Sequence, residues 1–212
     1  MQVVGAFADG ARRYGADVRT GVRVNHLVAK GDDVVGVSSS EGVVAAGCTL
    51  VAGGLGTPRL AQQAIGVQIP MTVSRGQMFV TERVPPLLHA FLHTIKQTRY
   101  GTIVMGATRE ADVTATTTTV SGTRDMMAEF TDLVPDLAMI RVLRSWAGIR
   151  PVPADGYPII GPVPGVSGLL LALMHRGVTL APIVGSILAG LAEERPPDID
   201  ISPFSITRFQ EG

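Results

Sequence analysis

The stretch from Trp146 to Pro182 limits the fold of this chain more than any other part of the sequence. It contains, in order, the segments Trp146–Pro151, Asp155–Pro162, Leu169–Leu173 and His175–Pro182. A short apolar run bounded by turn residues is typical of a buried strand, and the glycine-led segment after it predicts a helix over residues 179–194. An arginine-bearing turn, a buried strand and a helix in succession indicate an α/β fold.

A second strand-to-helix unit lies in the first half of the chain. Residues 49–52 predict a buried strand that enters the turn Gly53-Gly54-Leu55-Gly56, and Thr57 suits the N-cap of a helix through Ile65. Before this unit, helical spacing of apolar residues predicts an amphipathic helix that ends at Gly15. Further strands are predicted at residues 17–20, 22–29, 34–39 and 43–45, with a turn at Gly31-Asp32-Asp33.

The middle of the chain predicts a different architecture. Runs of β-type residues at 71–80, 91–98 and 102–108 are separated by turn residues rather than by helices, which favours an antiparallel sheet. A polar loop, a helix at 122–133 and β-type residues at 138–150 follow. We therefore predict an α/β fold, α+β in part, in which residues 1–70 and 146–212 form one domain, interleaved with an antiparallel-sheet domain at residues 71–145.

Composition narrows the classes of function. The 212 residues are 46% hydrophobic and 17% charged with no net charge, so we expect a globular protein that does not bind nucleic acid. His175, Arg176 and Pro182 interrupt the most apolar stretch, so we expect no membrane span. The single cysteine, Cys48, excludes an intrachain disulfide and a cysteine-based zinc site, and its apolar neighbours predict a buried thiol. We expect no metal site and a cytoplasmic location.

Several motifs, in this order and spacing, resemble the D-amino-acid-oxidase-like family of FAD-dependent oxidoreductases, which includes glycine oxidase and sarcosine oxidase. They are Ala52–Leu60, Arg75-Gly76-Gln77, Trp146–Pro151, Asp155–Gly161 and His175–Pro182. The resemblance implies an FAD-binding Rossmann-like domain, incomplete in this chain, together with a substrate-binding antiparallel sheet. It also implies FAD as the cofactor, a small carboxylate-bearing amine as the substrate, and oxidation by hydride transfer to the flavin.

One family motif is not found in these 212 residues. Members of the family carry a Gly-x-Gly-x-x-Gly turn, whose backbone N–H groups hold the cofactor pyrophosphate. The nearest pattern here, at Gly53–Gly56, has Arg59 where the third glycine would stand. The chain resembles the C-terminal portion of such an enzyme, so we expect a partner chain or an upstream segment to supply the nucleotide-binding unit. The alternative is a catalytically silent scaffold or accessory subunit.

The resemblance also assigns cofactor contacts. Glycines after a strand let the backbone approach the flavin nucleotide, and the free N–H groups of a helix start favour negative charge on the flavin ring. The ordinary alternatives are a plain strand-to-helix turn, an N-cap at Thr179 and a surface histidine. The residues assigned to the cofactor are Val24, Ala52, Gly53, Gly54, Gly56, His175, Arg176, Gly177, Val178, Thr179 and Leu180.

Arg150 is the strongest candidate for substrate binding. In the family, an arginine in this context pairs with the substrate carboxylate, and a guanidinium provides two parallel charge-assisted hydrogen bonds. The alternative is a structural ion pair with an acid such as Asp155. Tyr100 is a second candidate.

The remaining polar and aromatic candidates have weaker assignments. Around Tyr100, the side chains of His93, Lys96 and Arg99 either shape the pocket or are simply solvated. Arg75 and Gln77 mark the crossing between domains, and Trp146 is expected in the core.

Overall fold

The computed structural model describes residues 2–92 and 94–209, with a mixed α/β architecture that contains antiparallel sheets. The helices are α1 (Gln2–Arg13), α2 (Thr57–Ile65), α3 (Val120–Leu133) and α4 (Gly177–Ala192). The strands are β1 (Val24–Lys30), β2 (Asp33–Ser39), β3 (Gly42–Ala45), β4 (Thr49–Val51), β5 (Met71–Arg83), β6 (Ile95–Gln97), β7 (Thr102–Gly106), β8 (Glu110–Ala111), β9 (Val142–Pro153), β10 (Ile159–Pro162) and β11 (Leu169–Leu173). Short 3₁₀ helices occupy Gly54–Gly56, Pro135–Met139, Ser202–Phe204 and Ile206–Phe209.

Two three-stranded sheets are formed by strands outside the middle of the chain. The strands β1, β2 and β3 form an antiparallel meander, and the predicted turn between β1 and β2 uses the positive φ of Gly31. The second sheet has the order β10-β11-β4, in which β4 runs parallel to β11. The predicted strand at residues 17–20 does not form, and β10 was not predicted.

The strand β5 is the centre of the largest sheet. It pairs antiparallel with β7, β8 and β9, and its pairing with β9 extends from Met71 opposite Pro153 to Thr81 opposite Val142. The antiparallel sheet predicted for the middle of the chain is therefore confirmed. In this register Gly76 lies opposite Gly148, and Ser74 lies opposite Arg150.

The hydrophobic core is divided into clusters. One buried cluster is drawn from residues 79–137 and includes Phe79 and Phe130. A second cluster, which includes Leu171, joins β1, β2, β4, β10 and β11 to α2, and a third, which includes Leu188, packs β10 and β11 against α4. This separation supports the division into 71–145 and the two flanking segments, which we retain as a proposal.

Two sequence expectations about burial are wrong. Cys48 is exposed although its sequence neighbours are apolar, because it precedes the short edge strand β4. Trp146 is 37% exposed because the first part of β9 forms an open surface. Within residues 2–92 and 94–209, no helix combines the length and apolar content needed to cross a bilayer.

Candidate functional site

A cavity of about 460 Å³ is lined by residues of β9 and α3 and by a residue just before α4. Arg150 and His175, which are far apart in sequence, both line it. The structure thus brings together one residue assigned to the substrate and one assigned to the cofactor. The other lining residues are Thr94, Ala107, Thr108, Arg109, Asp125, Met126, Glu129 and Phe130.

The guanidinium of Arg150 is fixed from two directions. Its Nη1 donates a hydrogen bond to the carbonyl oxygen of Thr108 at 3.1 Å. A Cβ placed on Gly76 would lie 2.1 Å from its Nη2, so a larger residue there would displace the guanidinium from this position. Burial, and then the nearby charge of Arg109, lower the pKa of Arg150. The guanidinium is therefore partly desolvated beside another cation.

Asp155, the alternative partner expected for Arg150, pairs with a different arginine. Asp155 accepts hydrogen bonds from Arg208, at 2.6 Å to its Nε and 3.1 Å to its Nη2. The expected alternative of an Arg150–Asp155 ion pair is therefore wrong. Among the described residues, no carboxylate lies within salt-bridge distance of Arg150. A partly buried guanidinium with this environment suits an external carboxylate.

His175 lies in the same cavity with an unsatisfied nitrogen. Its Nδ1 is buried and has no hydrogen-bond partner in the described part of the chain. Burial, followed by the charges of Arg150, Arg176 and Arg109, lowers its pKa. The imidazole is therefore neutral near pH 7, and a buried nitrogen of this kind requires a partner from a ligand or water.

A largely buried polar network is linked to Arg150 through Thr108, and sequence reasoning missed its central residue, Glu110. Glu110 pairs with Arg75, whose Nε donates to it at 3.0 Å, and it accepts from Gln77 Nε2 at 2.8 Å. Thr108 Oγ1 donates to the same carboxylate at 2.6 Å. These contacts lower the pKa of Glu110 to about 2, with the Arg75 hydrogen bond as the largest cause. No local pattern marks Glu110, because its partners Arg75 and Gln77 come from β5, more than 30 residues earlier in the chain.

A second cavity, of about 340 Å³, lies between β4 and α4. Ala52, Gly54 and Gly177 line it among apolar side chains. Gly54 has φ +52°, a conformation that favours glycine. Three residues assigned to the cofactor therefore border one groove at the carboxyl end of β4, where α/β sheets commonly bind ligands.

The other assigned residues lie nearby or elsewhere. Helix α4 begins at Gly177, not at Thr179, and no side chain caps it, so the expected cap at Thr179 is wrong. Its first amides remain available to a ligand. At this end of α4, Arg176, Val178 and Thr179 are exposed and Leu180 is half-buried. Gly53 and Gly56 flank the turn after β4. Val24 is the first residue of β1.

Tyr100 is separated from Arg150. It is 54% exposed, stacks with Arg99 and borders a different cavity, beside Val84 and Gln97. Lys96 is exposed on β6. The expectation for His93 falls outside the described residues. The cavity around Arg150 is instead completed by Thr108 and Arg109.

The site's residues fit FAD on structural grounds. The unpartnered Nδ1 of His175, the uncapped start of α4 and the glycine-lined groove each supply what a flat polar cofactor requires. A family model described as FAD dependent oxidoreductase matches residues 1–191. The chain therefore belongs to this family of FAD-dependent oxidoreductases. The resemblance found in the sequence is confirmed, and FAD is the cofactor of the family.

Particular relatives extend this assignment. The chain is 34% identical over 216 residues to the hydrogen cyanide synthase subunit HcnC of Pseudomonas protegens, covering 99% of this chain and 52% of that protein. It is 34% identical over 181 residues to glycine oxidase of Pseudomonas aeruginosa, covering 82% and 50%. The crystal structure of glycine oxidase from Geobacillus kaustophilus matches with a TM-score of 0.85 at 28% identity, covering 96% and 56%. The chain thus spans about half the length of the curated relatives it matches.

Proposed function

We propose that this chain supplies the substrate side and the flavin-ring side of an FAD-dependent enzyme that oxidises a small amino acid or secondary amine. The observation that carries the proposal is the guanidinium of Arg150, which lines the cavity without a carboxylate partner among the described residues. Such a group binds a substrate carboxylate through charge-assisted hydrogen bonds. Similarity to glycine oxidase supports a small amine as the substrate.

The residues of this chain contribute orientation and electrostatics. Arg150 holds the carboxylate, so that the carbon beside the amine is presented in one position. His175, the residues at the start of α4 and the glycines after β4 would hold FAD. When bound, FAD supplies the acceptor for a hydride from that carbon. His175 stays neutral near pH 7, so the positive charge at the cavity comes from the arginines.

A further unit that binds the nucleotide part of FAD belongs to the proposal. Within the described residues, β4 pairs only with β11, which leaves one edge of this sheet open beside the exposed Leu50. Helix α1 has no buried residue and exposes Val3, Val4 and Phe7. An open edge and apolar surfaces of this kind favour coverage by a strand and helix. A partner chain or another segment would supply them; this chain covers 52% of HcnC, which is itself a subunit of hydrogen cyanide synthase.

Purification with FAD tests the proposal. We expect flavin absorbance in the complete assembly and turnover of glycine or another small amine. In that assembly, Arg150→Met should raise the substrate KM at least about tenfold while the flavin stays bound, because a charged hydrogen-bond pair is lost. Arg144→Met, on an exposed part of the same strand β9, is the matched control. Unchanged kinetics in Arg150→Met would contradict the role of Arg150.

The chain alone gives a separate answer. A colourless protein that cannot be reconstituted with FAD would show that this chain does not bind the cofactor by itself. If the complete assembly were also colourless and inactive, the result would favour the catalytically silent scaffold.

A further inference from the structure

We infer that Thr108 and Glu110 are positioning residues, which fix the direction of the Arg150 guanidinium through the main chain of Thr108. The inference rests on the proposed role of Arg150 as the carboxylate-binding residue. It assigns a role in ligand binding to the hydrogen-bonded network of Arg75, Gln77, Thr108 and Glu110, which would otherwise serve only to stabilise the fold. Neither residue has to touch the substrate carboxylate to act in this way.

The carbonyl oxygen of Thr108 is the sole hydrogen-bond acceptor of the Arg150 side chain within the described residues, at 3.1 Å from Nη1. Arginine has several rotatable bonds, and ordering such a side chain costs about 2 kcal/mol of conformational entropy. The steric limit at Gly76 restricts where the guanidinium lies, but it provides no hydrogen bond. The position of the Thr108 carbonyl therefore determines how the other N–H groups are aimed.

Thr108 is itself held by three further hydrogen bonds. Its N–H donates to the Gln77 carbonyl at 3.3 Å, and its Oγ1 accepts from the Gln77 N–H at 2.9 Å. The same Oγ1 donates to Glu110 Oε1 at 2.6 Å. A hydroxyl is needed here, because one atom must both accept from an amide and donate to a carboxylate. Serine can replace this hydroxyl, whereas valine cannot.

Glu110 in turn is anchored to β5. Its Oε1 accepts from Gln77 Nε2 at 2.8 Å, its Oε2 pairs with Arg75, and both partners are almost fully buried. The Gln77 amide oxygen also accepts from the Thr119 N–H at 2.8 Å, which ties the start of α3 to the same network. The carboxylate is thus rigid, and it orients the Thr108 hydroxyl. Hydrogen bonds therefore join Glu110 to the Thr108 hydroxyl and the Thr108 carbonyl to Arg150.

Acetate binding to the purified chain tests the inference without requiring turnover. The Arg150 side-chain Nε–H signal, identified by its loss in Arg150→Met, reports by NMR both acetate binding and guanidinium order. We expect Thr108→Val to weaken acetate binding about tenfold and to broaden or average this signal, because a charge-assisted contact loses its fixed geometry. Thr108→Ser should restore both within about twofold. Glu82→Gln, which removes another Glu–Arg pair of β5 at Arg141, is the matched control and should change neither.

A double variant tests the order of the path. Glu110→Gln alone should weaken acetate binding about threefold, and Thr108→Val with Glu110→Gln should be no weaker than Thr108→Val alone, because residues that act in series are not additive. Glu110→Gln also serves if Thr108→Val fails to fold. In an active assembly, Thr108→Val should raise the substrate KM and leave kcat within about twofold.

The outcomes separate this inference from the proposed function. Acetate binding and an Arg150 signal in Thr108→Val equal to those of the parent protein would overturn the positioning role while leaving Arg150 as the carboxylate ligand. Acetate binding that Arg150→Met does not change would instead contradict the proposed function. A loss of thermal stability with unchanged acetate binding would identify the network as structural and would also overturn the inference.

Discussion

The guanidinium of Arg150 occupies the space that a side chain at Gly76 would fill. Gly76 lies on β5 and Arg150 on the paired strand β9, and a Cβ on Gly76 would lie 2.1 Å from Nη2. The glycine therefore belongs to the proposed substrate site, although it offers no functional group.

Replacement of this glycine tests the relationship. Gly76→Ala should displace the guanidinium and raise the KM for an amino-acid substrate about tenfold or more, as expected when a charged hydrogen-bond pair is misaligned. Gly148→Ala is the matched control, because Gly148 lies directly opposite on β9 and a Cβ there meets no atom within 4 Å. Equal KM values for the two variants would contradict the steric role of Gly76.

The carboxylate of Glu110 predicts a pH dependence of stability. Its pKa is lowered from 4.5 to about 2 in the folded protein, so the unfolded chain takes up a proton first as the pH falls. The stabilisation from Glu110 is therefore complete above pH 4.5 and is lost between pH 4.5 and 2. We expect Glu110→Gln to lower Tm most above pH 5, with the difference from the parent protein shrinking toward pH 2. Glu129→Gln, measured over the same pH range, is the control. A Tm difference between Glu110→Gln and the parent protein that does not depend on pH would refute this assignment.

The ion pair between Asp155 and Arg208 predicts a change in stability alone. The pair is partly buried, with side-chain exposures of 31% and 19%, and Arg208 also donates to the Tyr157 carbonyl. Asp155→Asn should lower the free energy of unfolding by about 1 kcal/mol, measured by chemical denaturation. The substrate KM should not change, because Asp155 does not contact Arg150. A raised KM would restore Asp155 as a partner of the site.

The groove after β4 predicts an effect on cofactor affinity. Gly54 has φ +52° and borders the groove. Gly66 has φ +69° at the end of α2, and a Cβ placed on it would meet no atom within 4 Å. Alanine at either position should cost about 1 kcal/mol of stability from backbone strain. We expect only Gly54→Ala to weaken FAD binding as well, measured by flavin fluorescence titration of the complete assembly. The same FAD affinity in both variants would remove Gly54 from the cofactor site.

Much of the fold follows from patterns that act over a few residues. The helix that ends at Ile65, the turn at Gly31 and the strand Leu169–Leu173 are all found where the sequence predicted them. The expected cap at Thr57 is wrong, because Gly56 is the N-cap, no side chain caps this helix, and Thr57 is its first residue. Local periodicity and turn chemistry were sufficient for these elements. The strand Ile159–Pro162 was missed because glycine and proline neighbours are typical of a turn, and only pairing with β11 makes it a strand.

The candidate site, too, could be predicted only in part from the sequence. The sequence by itself determined the family, through the order and spacing of its motifs, and it singled out Arg150 and His175. Only the tertiary structure decided the partners. Asp155 pairs with Arg208, which is 53 positions away, and Glu110 reaches Arg75 across 35 positions. The tertiary structure also places Tyr100 at a different cavity from Arg150 and leaves Cys48 exposed. The physical reason is range: hydrophobic period and turn preference depend on near neighbours, whereas burial and charge pairing depend on which distant segments pack together.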